Sequence, residues 1–196
     1  MANNNRFKKS KLKIDQVEGT DDLFIAHNVR VRWARVHKPT EDDNGDPKYS
    51  IEMLVDKATA SDFISQKLKK SLRPVKDEDD VYQISVERKG IYSKSGDPRP
   101  PASVVDSQLN PFSKEIGNDS VCNIQFAVKD WEYKKKKGTK IELTGVQVVE
   151  LVPYAGSSER VAFGAVDGFV AAEEASGADE TDGFEAVEED DDDWED

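Results

Sequence analysis

Cysteine and histidine are nearly absent from this chain. Cys122 is the one cysteine, and His27 and His37 are the two histidines. An intramolecular disulfide is therefore excluded, and a His/Cys zinc site has too few ligands. No apolar run approaches the roughly 20 residues of a membrane-spanning helix. The stretch from Met1 to Ile14 carries Arg6, Lys8, Lys9, Lys11 and Lys13 but no apolar core of a signal peptide. These absences point to a soluble protein of a reducing cytoplasm. A Gly-rich phosphate loop, a nucleophile elbow and paired metal-ligand spacings are missing as well. The acidic residues of the body are scattered over turns and solvent faces, and abundance of carboxylates is no evidence of acid–base work. The expectation is a protein that is not an enzyme and uses no metal or cofactor.

One end of the chain also lacks positive charge. The last basic residue is Arg160, while Glu173 to Asp196 holds fourteen acidic side chains. Of the 40 acidic residues, those fourteen and Asp167 lie beyond Arg160, which leaves 25 before it against all 28 Lys and Arg. A net charge of −12 thus conceals a mildly basic body and a polyanionic tail. Such a block repels itself and buries too little apolar surface to offset ordering entropy, so it is expected to be disordered. The sequence divides accordingly into a basic, flexible arm over 1–20, a domain over 21–170 and an acidic tail over 171–196.

Within the domain, hydrophobic periodicity predicts strands. Val29, Val31 and Trp33 alternate with Arg30 and Arg32, placing the arginines together on one face and Trp33 in the core. Pro39 to Pro47 reads as a turn-rich loop. Tyr49, Ile51, Met53 and Val55 form the apolar face of a second strand. Thr59 or Ser61 caps a helix that runs to about Leu72, where Pro74 stops it. Tyr82, Ile84 and Val86 mark a third strand, followed by a long irregular segment over 88–116. The clearest hairpin comes next. Val121 to Tyr133 sends Cys122, Ile124, Phe126 and Val128 inward and Asn123, Gln125, Lys129 and Trp131 outward, and Thr139 to Val152 returns. Lys134 to Gly138 forms its turn, and Gly145 marks a bulge or bend in the return strand. Phe163 and Phe169 are candidates to finish the core. Five or so strands with one helix make a small, mainly β, predominantly antiparallel barrel.

Cations and exposed rings on shared surfaces are what a single-stranded nucleic acid requires, the first for phosphates and the second for stacked bases. Arg30 and Arg32 alone would be an ordinary solvated face, but Arg35 and Lys38 extend them into a phosphate-tracking stripe. Trp131 on a polar face, beside Lys129, reads as a stacking platform that Tyr133 continues into Lys134, Lys135 and Lys136. The long segment carries Arg88, Lys89, Lys94 and Arg99 together with Tyr92, of which Arg88, Lys89, Tyr92 and Lys94 are candidate contacts. At the far end, Asp190, Asp191, Asp192, Asp193, Trp194, Glu195 and Asp196 combine a polyanion with one apolar anchor.

The segment Asn110-Pro111-Phe112, the return strand Leu143-Thr144-Gly145-Val146-Gln147-Val148-Val149 and the tail together resemble the single-stranded DNA-binding proteins of short-tailed bacteriophages. The resemblance covers most of the chain. It implies an oligonucleotide/oligosaccharide-binding (OB) barrel with an inserted helix, acting in phage replication, recombination and repair in the cytoplasm of the infected host. It further implies a tail that competes with DNA for the groove, contacts the phage DNA polymerase and helicase–primase, and helps the protein form a homodimer. Trp194 here precedes Glu195 and Asp196, whereas in that family the aromatic stands last. Two other classes fit the charge pattern: a histone-like or RNA-chaperone binder of duplexes or structured RNA, and an acidic DNA mimic acting through protein contacts.

Overall fold

A computed structural model describes residues 6–7, 9–69, 71–76, 78–93, 95–133 and 136–154. The strands are β1 (Ile14–Gln16), β2 (Leu23–Glu41), β3 (Pro47–Asp56), β4 (Arg73–Pro74), β5 (Val81–Lys89), β6 (Ser103–Val105), β7 (Val121–Tyr133) and β8 (Lys136–Glu150). One helix, α1 (Lys57–Ser65), joins β3 to β4. β2 pairs antiparallel with β3 and β7, β3 with β5, and β7 with β8. A parallel contact at Glu87↔Glu142, between β5 and β8, closes the ring. Five strands therefore form a closed barrel, antiparallel everywhere except at that seam. This is the OB architecture.

Alternation builds the barrel interior. Ile51, Met53, Val55, Ile84, Val86, Cys122, Ile124, Phe126 and Val128 are all buried, as their spacing predicts. Tyr49 is only half-buried, because it lies near the end of β3 beside the loop to β2. Burial in this apolar wall pushes the Cys122 thiol up to about 12, which leaves it an inert packing group. The expected bulge is present: Gln125 faces Gly145 and Phe126 faces Leu143, so Thr144 is the extra residue.

Several expectations are corrected. Asp56, not Thr59 or Ser61, caps the helix, its Oδ1 accepting from Ala58 N (2.8 Å) and Thr59 N (3.1 Å). α1 ends at Ser65 rather than near Leu72. Lys67 turns to φ 60, and Leu68 N–H bonds to the Phe63 carbonyl at 2.9 Å while Lys67 N–H bonds to Ile64. This is a Schellman closure, with Leu68 buried near Phe63 as its apolar contact. The polar N-terminal stretch is not a free arm over its described part. It delivers Phe7, 2% exposed, to the core, where its ring stands 4.9 Å from Phe63 and 5.2 Å from Phe24. Ile14–Gln16 then pairs with β2. The segment 88–116 contains β6, which runs parallel to β8 from Ser103↔Gly145. Lys136, Lys137 and Gly138 belong to the return strand and not to the turn, because β8 already pairs at Tyr133↔Lys136.

The largest departure is at Trp33. Two residues of β2 are inserted between the pairs Arg32↔Glu52 and Arg35↔Ser50 where one would fit. Trp33 takes φ 51 there and is 55% exposed, while Ala34 and Val36 fill the inner face. The bulge inverts the alternation that assigned Trp33 to the core.

Phe163, Phe169 and the whole acidic tail lie outside the described residues. Among those described, no helix is long and apolar enough to cross a membrane.

Candidate nucleic-acid interface

The barrel wall at the β5–β8 seam gathers cations around one carboxylate. Glu142 is 6% exposed. Arg99 bonds to its Oε1, Lys129 Nζ lies 3.0 Å from the same oxygen, Arg88 stands at 4.0 Å, and Lys140 reaches Oε2 at 3.8 Å. Burial pushes the Glu142 carboxyl upward, but hydrogen bonds from Arg99 and Lys129 outweigh it and hold it down at about 2. One negative charge thus organises four positive ones. Arg88 is also held by the Pro100 carbonyl (2.9 Å), and burial lowers its guanidinium from its ordinary value. Lys129 and Lys140 remain about half in solvent.

Two rings adjoin this cluster. Tyr92, 49% exposed, packs 5.7 Å from the Arg99 guanidinium. Trp131, 41% exposed, faces Gly138 across the hairpin. A Cβ on Gly138 would lie 2.6 Å from the indole, so the ring rests directly on bare backbone. Gly138 is what lets it lie flat. Trp131 and Lys129 are two residues apart on one strand face, as the alternation predicts.

A cleft of ≈ 430 Å³ opens beside the cluster. Its walls are the β2–β3 loop at Asp42–Asn44, Lys48, Lys69, Glu87 and Lys89, and the β8 stretch Lys140–Glu142. In OB barrels, oligonucleotides lie across the second and third strands between the first-to-second and fourth-to-fifth loops. Those strands are β3 and β5 here, and the first of the two loops is 42–46. Most cleft lysines are matched by acids. Lys48 meets Glu87 at 3.5 Å, and Lys89 meets Asp42 at 3.4 Å and Asp46 at 3.3 Å. A hydrogen bond from Lys89 to Asp46 raises the pKa of that lysine despite some burial. The excess of positive charge is at Glu142.

Arg30 and Arg32 do project together, but acids answer both. Arg30 pairs with Glu78 and lies 3.6 Å from Asp119, and Arg32 reaches Glu78 at 2.6 Å and Asp119 at 3.0 Å. The Asp119 hydrogen bond raises the Arg32 pKa against the opposing effect of burial. Arg35 is exposed, and its side chain makes no hydrogen bond or ion pair among the described residues. Lys38 has only a 3.6 Å contact with Glu115. Since Arg30 pairs with Val121 at the start of β7, about 27 Å of strand separates it from Lys129. The predicted residues therefore fall into two groups. Lys94, Lys134, Lys135 and the tail residues Asp190 to Asp196 lie outside the described residues, and Tyr133 and Lys136 are placed as the last backbone pair before the turn.

Sequence reasoning missed Glu142 and Lys140, and it placed Arg99 among the cations of the long segment without making it a contact. An acidic residue between Ile141 and Leu143 carries no signal of its own; only the β5–β8 seam brings Arg88 and Arg99 to it. His27 pairs with Asp15 at 3.2 Å, and the His37 ring lies 6.5 Å from Phe112, so both histidines are local contacts.

Closed strand order, parallel seam and groove define an OB-type barrel with a cationic, aromatic-bearing face. No family model matches the sequence, and no curated protein matches it. Among solved structures, the fold is similar to that of gp2.5, a single-stranded DNA binding protein encoded by bacteriophage T7. The TM-score is 0.51 at 14% identity, over 78% of this chain and 100% of that one. The single-stranded DNA-binding protein from bacteriophage Enc34 is also similar, with TM-score 0.44, 17% identity and coverage of 74% and 94%. Its complex with ssDNA gives 0.46 at 17% identity, over 76% and 99%. At such identities the similarity is one of fold.

Proposed function

We propose that this protein binds single-stranded DNA without sequence preference, through the cleft between the 42–46 loop and the Lys140–Glu142 stretch of β8. The observation that carries this reading is the convergence of Arg88, Arg99, Lys129 and Lys140 on Glu142, with Trp131 and Tyr92 exposed beside them. Three positive charges in excess attract phosphates, and the rings offer each base a face worth about 1–3 kcal/mol. Arg30, Arg32, Arg35, Lys38, Lys89, Lys134, Lys135 and Lys136 extend the track. The OB topology supports the same placement.

The biological setting follows the phage resemblance: coating of exposed strands in replication, recombination and repair, inside the infected bacterium. The tail over 171–196 acts as a polyanion that competes with DNA for the groove. Once displaced, it recruits the phage polymerase and helicase–primase, with Trp194 as its apolar anchor, and it supports a homodimer.

Titrating the protein with oligo-dT and with a duplex of equal length, followed by tryptophan fluorescence at two salt concentrations, tests the reading. Oligo-dT should quench and the duplex should not. Log affinity should fall with log salt by about 0.7 per phosphate neutralised. Equal quenching by both ligands would favour a duplex or structured-RNA binder, and a slope near zero would remove the phosphate track.

A further inference from the structure

The geometry points to Trp33 as a second base-stacking platform, with Arg35 holding the adjoining phosphate at the far end of the same nucleic-acid track. This deepens the single-strand reading and rests on it.

The bulge at Trp33 is built, not incidental. Trp33 N–H bonds to Asn118 Oδ1 at 2.9 Å, and Asp119 N–H bonds to the Val31 carbonyl at 2.8 Å. Asp119, itself at φ 68, then binds Arg32. The 118–119 turn thereby clamps β2 from Val31 to Trp33. A bulky side chain at φ 51 is unfavourable for an L-residue, and exposing a tryptophan forgoes its burial. The core does not need the ring, since Ala34 takes the inner position at 8% exposure. Strain of this kind, held in place by its neighbours, clusters at binding sites.

The neighbours select the occupant. Trp33 is flanked along the strand by Arg32 and Arg35, and Arg35 is exposed and unpaired among the described residues. A base with its phosphate calls for a ring beside a free guanidinium, and that pair stands here. The register also joins this place to the cleft. Arg35 faces Ser50, two residues along β3 from the cleft residue Lys48, which puts it roughly 8 Å from Lys48. A strand leaving the cleft at Lys48 meets Arg35 next and then Trp33.

The test uses full-length protein and labelled oligo-dT of graded length, with Trp33→Ala, Arg35→Ala and Trp131→Ala measured beside the parent. Trp33→Ala should weaken the longer oligomers about five- to 150-fold while scarcely affecting the shortest one that fills the cleft. Arg35→Ala should follow the same length dependence and flatten the salt slope by about 0.7. Trp131→Ala should weaken all lengths. Should Trp33→Ala and Arg35→Ala match the parent at every length while Trp131→Ala is impaired, the inference falls and the cleft reading stands. If the parent does not bind oligo-dT, the underlying reading fails. A change in sedimenting mass with unchanged affinity would make Trp33 a contact between copies and overturn the inference. Should Trp33→Ala unfold the protein, Arg35→Ala decides alone, because it removes no contact.

Discussion

A single carboxylate sets the electrostatics of the groove. Glu142 is buried and sits well below the ordinary carboxylate range, at about 2, because Arg99 and Lys129 bond to its ionised form. In the unfolded chain the same group titrates near 4.3. Its folded pKa is the lower of the two, so its contribution to stability is complete above about pH 4.5 and is lost as the pH falls toward 2. The full difference corresponds to about 3 kcal/mol. Denaturation midpoints of the parent should therefore drop steeply between about pH 4.5 and pH 2. Glu142→Gln, less stable at neutral pH, should show a shallower fall; parallel curves would contradict the assignment. Trp33 carries the opposite lesson at the same scale. As a core residue, its truncation would cost about 3–5 kcal/mol. Exposed on its bulge, it should leave the melting temperature nearly unchanged.

The β7–β8 hairpin is the element that presents the Trp131 ring. The ring lies on Gly138 because no side chain stands between them. Gly138→Ala places a methyl group where the indole sits, and an exposed ring can swing away at little cost to packing. The expected result is a nearly unchanged melting temperature with single-strand affinity reduced in the direction of Trp131→Ala, whose loss should be about 1–3 kcal/mol. Paired melting and oligo-dT titrations of both variants check this. Full affinity in Gly138→Ala would mean that the flat seat of the ring is irrelevant to binding.

At the scale of the whole molecule, charge is divided between a mildly basic body and an acidic end. Under the proposed reading, a tethered tail has an effective concentration on the order of millimolar, enough for weak contacts to compete with DNA. Deleting 171–196 should therefore tighten single-strand binding, and more at low salt than at high, where both sets of contacts are screened. Trp194→Ala should weaken capture of replication proteins while sparing DNA affinity, since it removes no charge. Recovery of those proteins in equal amounts by parent, deletion and Trp194→Ala forms would reduce the tail to a solubilising role.

Local pattern was sufficient for much of this protein. Alternation marked the apolar faces of β3, β5 and β7, Gly145 marked the β8 bulge, and the outward positions of Lys129 and Trp131 followed from period two. Those features depend on neighbours within one strand or one hairpin, and a sequence displays such neighbours directly. Other features depended on partners far along the chain. The bulge that expels Trp33 is clamped by Asn118 and Asp119, some 85 residues away. Phe7 enters the core only because Phe24, Phe63 and Phe126 enclose a place for it. Glu142 gathers Arg88 and Arg99 only because a parallel seam closes the barrel. Periodicity fixes which face a residue prefers, but closure of the barrel decides which charges meet there, and that decision belongs to the tertiary structure.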